Sequence, residues 1–212
     1  MDIDLKVAQL LCSRLCHDLI SPAGAINAGL ELMAENPKGD IADAMSLSSE
    51  SARQLTAKLS FFRVAFGATS QAMTLDQLID LGRGFVGQGA VRIDAPDADG
   101  SSAVPATGVR LALALIMLGI GALPRGGSLE LQVAALPDGL GIALKASGRG
   151  AALKDDVRTA IALSDVEALT ARNVHGYLAA ALAAEHNAGI EIAEDADVVQ
   201  IAVLVPPQGL AT

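Results

Sequence analysis

Two consecutive stretches of apolar residues, spaced mainly by threes and fours, constrain the fold of this chain more than any other feature. The first seam comprises Leu5, Ala8, Cys12, Leu15, Leu19, Pro22, Ile26, Gly29 and Met33, and the second comprises Ile41, Met45, Ser48, Ala52, Leu55, Leu59, Phe62 and Phe66. This spacing places the seam side chains on one side of an α-helix. It predicts a helix from about residue 3 to 35 and a second helix that ends at Gly67.

The segment between the seams reads NPKGD, residues 36–40. Its proline and glycine end the first helix, and Asp40 is a suitable N-cap for the second. Two long helices with a short connection form an antiparallel hairpin. Because one hairpin cannot bury seams of this length by itself, we predict a homodimer in which two hairpins form a four-helix bundle.

Beyond the second seam, strand patterns alternate with helix patterns. Helices are predicted over 74–86, from Val109 to Leu123, and over 170–189, and an extended segment over 90–96. The segments GSLELQVAAL and GLGIALKAS flank a PDG turn at 137–139, which indicates a β-hairpin, and GIEIAE with VVQIAVLVP form another strand pair. The predicted fold class is α+β, with helices over one face of a mixed sheet.

We therefore divide the chain into residues 1–68, the dimerising helical hairpin, and residues 69–212, an α/β sandwich. Aromatic residues make up only 2% of the sequence, so the cores must be filled by aliphatic side chains. This composition favours close helix packing.

Charge and cysteine content restrict the partners and the compartment. The formal net charge of −9 argues against nucleic-acid binding. The two cysteines, Cys12 and Cys16, lie four residues apart in one helix, which is not a secreted disulfide framework. No stretch is long enough to span a membrane, and the acidic N-terminus lacks signal-peptide character, so we predict a cytoplasmic protein without membrane contact.

His17 is the residue most suited to chemistry. The heptad places it opposite the seam, facing solvent, with Ser13, Arg14 and Ser21 on the same polar side. The small serines leave room above the imidazole ring for a large partner, and Ile20 adds an exposed apolar side chain typical of a docking surface. Pro22 is expected to bend the helix. An isolated histidine of this kind is usually only solvated, so these features alone do not assign it a role.

The longer string HDLISPAGAI, residues 17–26, resembles the phosphoacceptor box of bacterial sensor histidine kinases. The resemblance implies that His17 accepts a phosphoryl group and that Asp18 orients the imidazole ring. It departs from the usual box at Ile20, where an arginine is typical, and at Ala23 and Gly24, where larger residues are typical.

The second half resembles the ATP-binding domain of those kinases in element order, but three nucleotide-binding features are missing. Met117 and Gly121 stand where the kinases carry asparagines that hold Mg²⁺ and phosphate. Ala146, in ASGRG, stands where they carry the aspartate that binds adenine, and Gly176 is the lone glycine near the expected lid motif. ATP binding is therefore not expected, and the chain needs no cofactor of its own.

A nearly intact phosphohistidine box on a helical hairpin, followed by an ATP-binding-like domain that lacks its nucleotide-binding residues, resembles the ChpT-type histidine phosphotransferases of alphaproteobacterial phosphorelays. The resemblance implies transfer of a phosphoryl group through His17 between aspartates of response-regulator receiver domains, downstream of a hybrid histidine kinase. The receiver supplies Mg²⁺. The docking surface is predicted at Ser13, Arg14, Ile20, Ser21 and Gly24.

Two other functions fit the same features. The chain could be a non-catalytic dimeric scaffold that binds receivers, or an ATP-dependent kinase with divergent boxes. The remaining histidines, His175 and His186, are interpreted as surface or boundary residues without a role, and Cys12 and Cys16 as small core residues instead of a metal pair. The glycines of GGSLE and GRG are interpreted as turns.

Overall fold

The computed structural model describes residues 5–35, 41–67, 71–94, 100, 102–162 and 166–207. Its first two helices are α1, Leu5–Glu35, and α2, Ile41–Ala65. Contacts between them run in opposite chain directions, since Lys58 reaches Asp18 and Ser48 reaches Ile26. The predicted antiparallel hairpin is confirmed. The predicted helix break at 36–40, with its Asp40 N-cap, lies outside the described residues.

The two helices approach most closely where small residues face each other. A Cβ added at Gly29 would collide with the hydroxyl of Ser48 and would lie 2.9 Å from the carbonyl oxygen of Ala44. The Ser48 hydroxyl is buried and donates to that same carbonyl at 2.9 Å. Gly29 is therefore required for the close approach of α1 and α2.

Pro22 is buried in the middle of α1. Proline has no N–H to donate to the carbonyl four residues earlier, which belongs to Asp18. The ammonium of Lys58 on α2 donates to the Asp18 carbonyl oxygen at 3.1 Å and so supplies the missing hydrogen bond.

The predicted seams are only partly buried within the chain. Pro22, Gly29, Ser48 and Phe62 are buried, whereas Leu5, Met45 and Leu59 are 72%, 57% and 48% exposed. Cys12 and Cys16 are also exposed free thiols, so their interpretation as core residues was wrong. Their positions on α1 turn them away from both α2 and the C-terminal region.

The C-terminal region contains four helices and two sheets within the described residues. The helices are α3 Leu75–Val86, α4 Ala106–Gly121, α5 Asp155–Ile161 and α6 Val174–Glu185, and the strands are β1 Met73–Thr74, β2 Val91–Asp94, β3 Ala103–Val104, β4 Gly127–Leu136, β5 Gly139–Ser147, β6 Ile190–Asp195 and β7 Val198–Val205. The large sheet has the order β2-β4-β5-β7-β6, and β1 pairs with β3. Only the β2–β4 pair in the large sheet is parallel, so the predicted mixed sheet is confirmed.

Local sequence explains several of these elements. Thr74 caps α3 through a capping box with Gln77, in which each side chain accepts from the other's backbone N–H. The PDG turn joins β4 to β5 as predicted, with Leu136 paired to Gly139. Gly139 has φ +138°, and a side chain there would run into the Val205 carbonyl.

Two apolar contacts hold the hairpin against the C-terminal region. All four phenylalanines of the chain meet at the end of α2, where the Phe61 and Phe85 rings stack at 4.2 Å. At the same open end of the hairpin, Val7 near the start of α1 packs with Ala160, Leu169 and Val174. The prediction of a domain boundary at 68/69 falls on residues outside the described ranges.

The core of the C-terminal region is built around α4. Every residue from Gly108 to Gly119 except Arg110 is buried. Gly119 lies so close to Leu144 and Leu129 that no Cβ would fit there. No helix in the described part of the chain has both the length and the apolar character needed to cross a membrane.

Candidate functional site

His17 projects from the middle of α1 with its side chain 86% exposed, as predicted from its heptad position. Its Nδ1 lies 3.3 Å from Oδ1 of Asp18. When Nδ1 carries the proton, it donates to this carboxylate, and the lone pair of Nε2 is left on the open side of the ring. In this arrangement Asp18 holds Nδ1, and Nε2 is available to a partner.

Asp18 is held from a second direction. Its carboxylate is 22% exposed, and its Oδ2 lies 3.9 Å from Nε of Arg14, one helical turn earlier. Arg14 does not extend into solvent with Ser13 and Ser21. Its Nη1 donates to the carbonyl oxygens of Ala171 and Arg172 in the C-terminal region, at 3.4 and 3.3 Å. Burial lowers the pKa of Arg14, and Asp18 opposes that shift.

The surface around His17 is open. Ser13, Ile20, Ser21 and Gly24 are exposed, and Ile20 retains 70% of its accessible surface. A Cβ added at Gly24 would meet no atom within 4 Å. The four predicted docking residues are therefore brought together with His17 on one accessible face, while Arg14 lies at its buried margin.

Several of the positions at which nucleotide-binding residues are missing are used for packing within the protein. Met117 and Ala146 are buried in the core. The Gly150 N–H, in the GRG segment, donates to the Asp197 carboxylate at 2.6 Å, so this turn is closed by a side chain of the protein itself. Gly176 lies where α6 meets α5, and an added Cβ there would lie 3.0 Å from the Val157 carbonyl oxygen. The absence of a side chain at Gly176 therefore allows α5 and α6 to pack closely.

A cleft of about 380 Å³ opens beside His17, between α1 and the C-terminal region. Its lining residues are Ser13, Arg14, His17, Asp18, Gly121, Lys154, Val157, Ala171, Arg172 and His175. Three cations and one carboxylate face this space.

His175 lies at the inner wall of the cleft and is 3% exposed, so its interpretation as a surface or boundary residue was wrong. Neither ring nitrogen has a hydrogen-bond partner among the described residues. A Cβ added at Gly121 would lie 3.6 Å from its Nε2. His186, at the C-terminal end of α6, is half-buried, in agreement with a boundary position.

The surroundings of His175 keep it neutral. Burial lowers the pKa of its imidazole to about 3, and the positive charges of Arg14 and Lys154 act in the same direction. The Arg172 backbone opposes the shift only in part. At neutral pH this ring has one N–H donor and one acceptor and carries no charge.

The described residues contain no group of three or more histidine, cysteine, aspartate or glutamate side chains placed to hold a metal ion. Chemistry at His17 must therefore be considered with its neighbours Asp18 and Arg14. This set can hold an imidazole in one orientation and expose one of its nitrogens.

A family model described as the histidine phosphotransferase C-terminal domain matches residues 76–198, more than half of the chain. The chain belongs to this family. Protein phosphotransferase ChpT from Brucella abortus (strain 2308) is 44% identical over 133 residues, which are 61% of this chain and 61% of that protein. The match thus spans less than two thirds of this curated relative.

A solved structure supports membership of the histidine phosphotransferase family over nearly the whole length. The 1.7 Å structure of a bacterial phosphotransferase superimposes with a TM-score of 0.81 at 31% sequence identity, covering 96% of this chain and 98% of that one. The predicted resemblance to ChpT-type proteins and the predicted fold class are confirmed.

The sequence missed three residues of the site, Lys154, Arg172 and His175. They join His17 because α1 packs against the region from α5 to the start of α6, more than 130 positions along the chain. One local signal was available for His175, since the flanking sequence VHGYLAAALAA is almost entirely apolar.

Proposed function

We propose that this protein is a phosphoryl carrier, in which His17 takes a phosphoryl group from the aspartyl phosphate of one receiver domain and passes it to the aspartate of another. The observation that carries the proposal is the arrangement at His17, whose side chain is 86% exposed and whose Nδ1 lies 3.3 Å from the Asp18 carboxylate. Membership of the histidine phosphotransferase family supports the same conclusion.

In the first transfer, the Nε2 lone pair attacks the phosphorus atom. A P–N bond forms while the P–O bond to the receiver carboxylate breaks, and the carboxylate leaves with the electron pair. The Nδ1–H remains on the ring and donates to Asp18, which offsets the positive charge that develops on the imidazole. In the second transfer, another receiver carboxylate attacks phosphorus, and the P–N electron pair returns to Nε2.

The exposed residues Ser13, Ile20, Ser21 and Gly24 serve in this proposal as the docking surface for both receivers. Ile20 is the apolar contact, and the small side chains on either side of His17 let the receiver approach the ring. The receiver provides Mg²⁺ for the phosphoryl oxygens, because the site itself offers a single carboxylate, Asp18. A hybrid histidine kinase carries the donor receiver, and a cytoplasmic location, where such receivers act, remains a prediction.

We further propose that the working unit is a homodimer. An exposed apolar stripe runs along the hairpin and consists of Leu5, Cys12, Cys16 and Leu30 on α1, and of Ile41, Met45 and Leu59 on α2. Helical periodicity turns both sets to the same side of the hairpin. Burying this exposed apolar stripe against a second copy removes it from water and completes a four-helix bundle.

The test is phosphoryl transfer from phosphorylated receiver domains, with label on this chain followed over time. The wild-type chain should acquire an acid-labile, base-stable phosphate, which is characteristic of a phosphoramidate. His17→Gln should acquire none, while the matched variant His186→Gln should be labelled like wild type. Labelling of His17→Gln would exclude the proposed site, and absence of label on the wild-type chain would favour the scaffold.

A further inference from the structure

The cleft beside His17 has a local charge opposite to that of the whole chain. Arg14, Lys154 and Arg172 face it with a single carboxylate, Asp18, in a protein of formal net charge −9. The side chains of Lys154 and Arg172 make no hydrogen bond or ion pair within the described residues. Such an excess of positive charge at a cleft, with Lys154 and Arg172 unpaired and Arg14 shared with Asp18, attracts anions.

Buried polar atoms in the cleft also lack partners. Nε of Arg14 and both ring nitrogens of His175 are buried without a well-formed hydrogen bond to any described residue, and only the Arg172 backbone lies near enough to His175 to favour its protonated form. Buried polar groups are nearly always satisfied in folded proteins. A phosphate group presents several acceptor oxygens and can accept from an arginine N–H and from the single N–H of a neutral imidazole in the same cleft.

We propose that this cleft is a binding site for a phosphate-type dianion, held by Lys154, Arg172 and Arg14 with His175 as a neutral donor at its inner wall. The shared ligand chemistry has two possible sources, a phosphoryl group on His17 or a free phosphate. The first source rests on the proposed function, because it requires that His17 becomes phosphorylated.

A phosphoryl group on His17 can enter this site when the exposed ring turns toward the cleft. His17 lines the same cleft, and its ring is otherwise 86% exposed. In the cleft, the group is partly shielded from the water that would hydrolyse it, a reaction in which a water oxygen attacks phosphorus and the P–N electrons return to the ring with a proton. The cleft would then keep the phosphoryl group on His17 between two receivers.

The cleft also differs from the docking surface in what it can hold. It encloses about 380 Å³, which accommodates one phosphoryl group with several waters, each of which occupies about 30 Å³ in the liquid. It is too small to admit a receiver domain. Binding in the cleft can therefore be separated by experiment from docking on Ile20, Ser21 and Gly24, which do not line the cleft.

The first measurement is the lifetime of phosphohistidine after direct chemical labelling with phosphoramidate, which requires no receiver. The double variant Lys154→Gln, Arg172→Gln should lose its acid-labile phosphate roughly three- to tenfold faster than wild type, because two exposed charges are removed. The matched variant Lys145→Gln changes a lysine on the outer face of the sheet, paired with Glu130, and should keep the wild-type lifetime.

The second measurement follows the imidazole resonances of His175 while inorganic phosphate is added to the unlabelled His17→Gln chain, with chloride at equal ionic strength as the control. A saturable phosphate-specific shift, absent in the double variant, identifies free phosphate as a ligand of the cleft. A shortened lifetime identifies the phosphoryl group on His17 as the ligand.

An unchanged lifetime together with no phosphate-specific shift would overturn the proposal. That result leaves the proposed function intact if receivers still label His17. Conversely, failure of receivers to label the chain would defeat the proposed function while leaving phosphate binding in the cleft testable. Because Lys154 and Arg172 are both exposed, their substitution is not expected to unfold the protein.

Discussion

Helix α4 buries 11 of its 16 residues, whereas α1 buries 3 of its 31. The C-terminal region therefore has a dense core, to which the end of α2 adds Phe61, Phe62 and Ala65. The rest of the hairpin leaves much of its apolar surface exposed. The two histidines that line the cleft show the same difference, because His175 is buried and His17 is exposed. Within this one chain, the region that carries the proposed chemistry has the least internal packing, and its position is set by contacts with the C-terminal region through Val7 and Arg14.

The largest expected effect comes from charging the exposed apolar stripe. Met45→Glu with Leu59→Glu should convert the dimer to a monomer, because dimerisation would bury two unpaired carboxylates in each copy. Leu47 is 46% exposed on the same helix but lies off the stripe, so Leu47→Glu is the matched control and should remain dimeric. Light scattering at micromolar concentration measures both. If the wild-type chain is itself a monomer, the proposed homodimer is wrong.

A leucine truncation compares the two regions directly. Leu115→Ala, in the fully buried α4, should lower the free energy of unfolding by about 3–5 kcal/mol. Leu59→Ala, at a position 48% exposed in one chain, should cost about 1 kcal/mol or less in the monomer. Urea unfolding of dilute samples gives both values. Equal losses would mean that the hairpin is as tightly packed as the C-terminal core.

The enclosed histidine should make stability depend on pH. Its pKa is about 3 in the folded protein, against about 6.5 when unfolded. The unfolded chain thus binds an extra proton between these values, and the free energy of unfolding should fall as pH decreases below 6.5, by about 1.4 kcal/mol per pH unit. Above pH 6.5 this contribution is fully retained.

The replacement His175→Phe isolates this contribution. Between pH 7 and pH 5, in buffer without phosphate, the wild-type chain should lose about 2 kcal/mol more stability than the variant. Urea unfolding at the two pH values measures the difference. If the two proteins lose stability in parallel, His175 is accessible to protons in the folded state.

The smallest effect distinguishes two glycines of α1. Gly29→Ala should destabilise the chain by about 1–3 kcal/mol, because the new methyl group collides with Ser48 at the helix contact. Gly24→Ala, with no atom within 4 Å of the new methyl group, should stabilise it by about 0.5–1 kcal/mol through helix propensity. Thermal unfolding of both variants measures the two shifts. A gain in both would show that α1 and α2 do not meet at Gly29.

Sequence periodicity predicted the elements that carry their own signal. The two seams predicted α1 and α2, and the PDG turn predicted the β4–β5 hairpin. Helix α5, Asp155–Ile161, was not predicted, because seven residues are too few to show a helical period and its N-cap Lys154 makes no side-chain capping bond. Its position depends on contact with α6 at Gly176, which local sequence does not specify.

The part of the candidate site that lies on α1 could be predicted from the sequence. The exposure of His17 and its neighbours followed from positions along α1. The burial of His175 did not, because it results from the packing of α1 against a distant segment, through Val7 and Arg14. Likewise, the seam pattern does not reveal whether an apolar residue meets its own chain or a second copy, so Cys12 and Cys16 were misplaced.

The proline in α1 has a consequence for how the two helices of the hairpin are aligned lengthwise. Because Pro22 frees the Asp18 carbonyl, one turn of α1 accepts a hydrogen bond from outside the helix, and Lys58 is the donor that reaches it. Sliding α2 by one turn, about 5.4 Å, would carry Lys58 away and leave that carbonyl without a partner. The backbone hydrogen bond that is missing at Pro22 thus sets the register between the two helices, because it fixes the position of α2 along α1 at the level of His17.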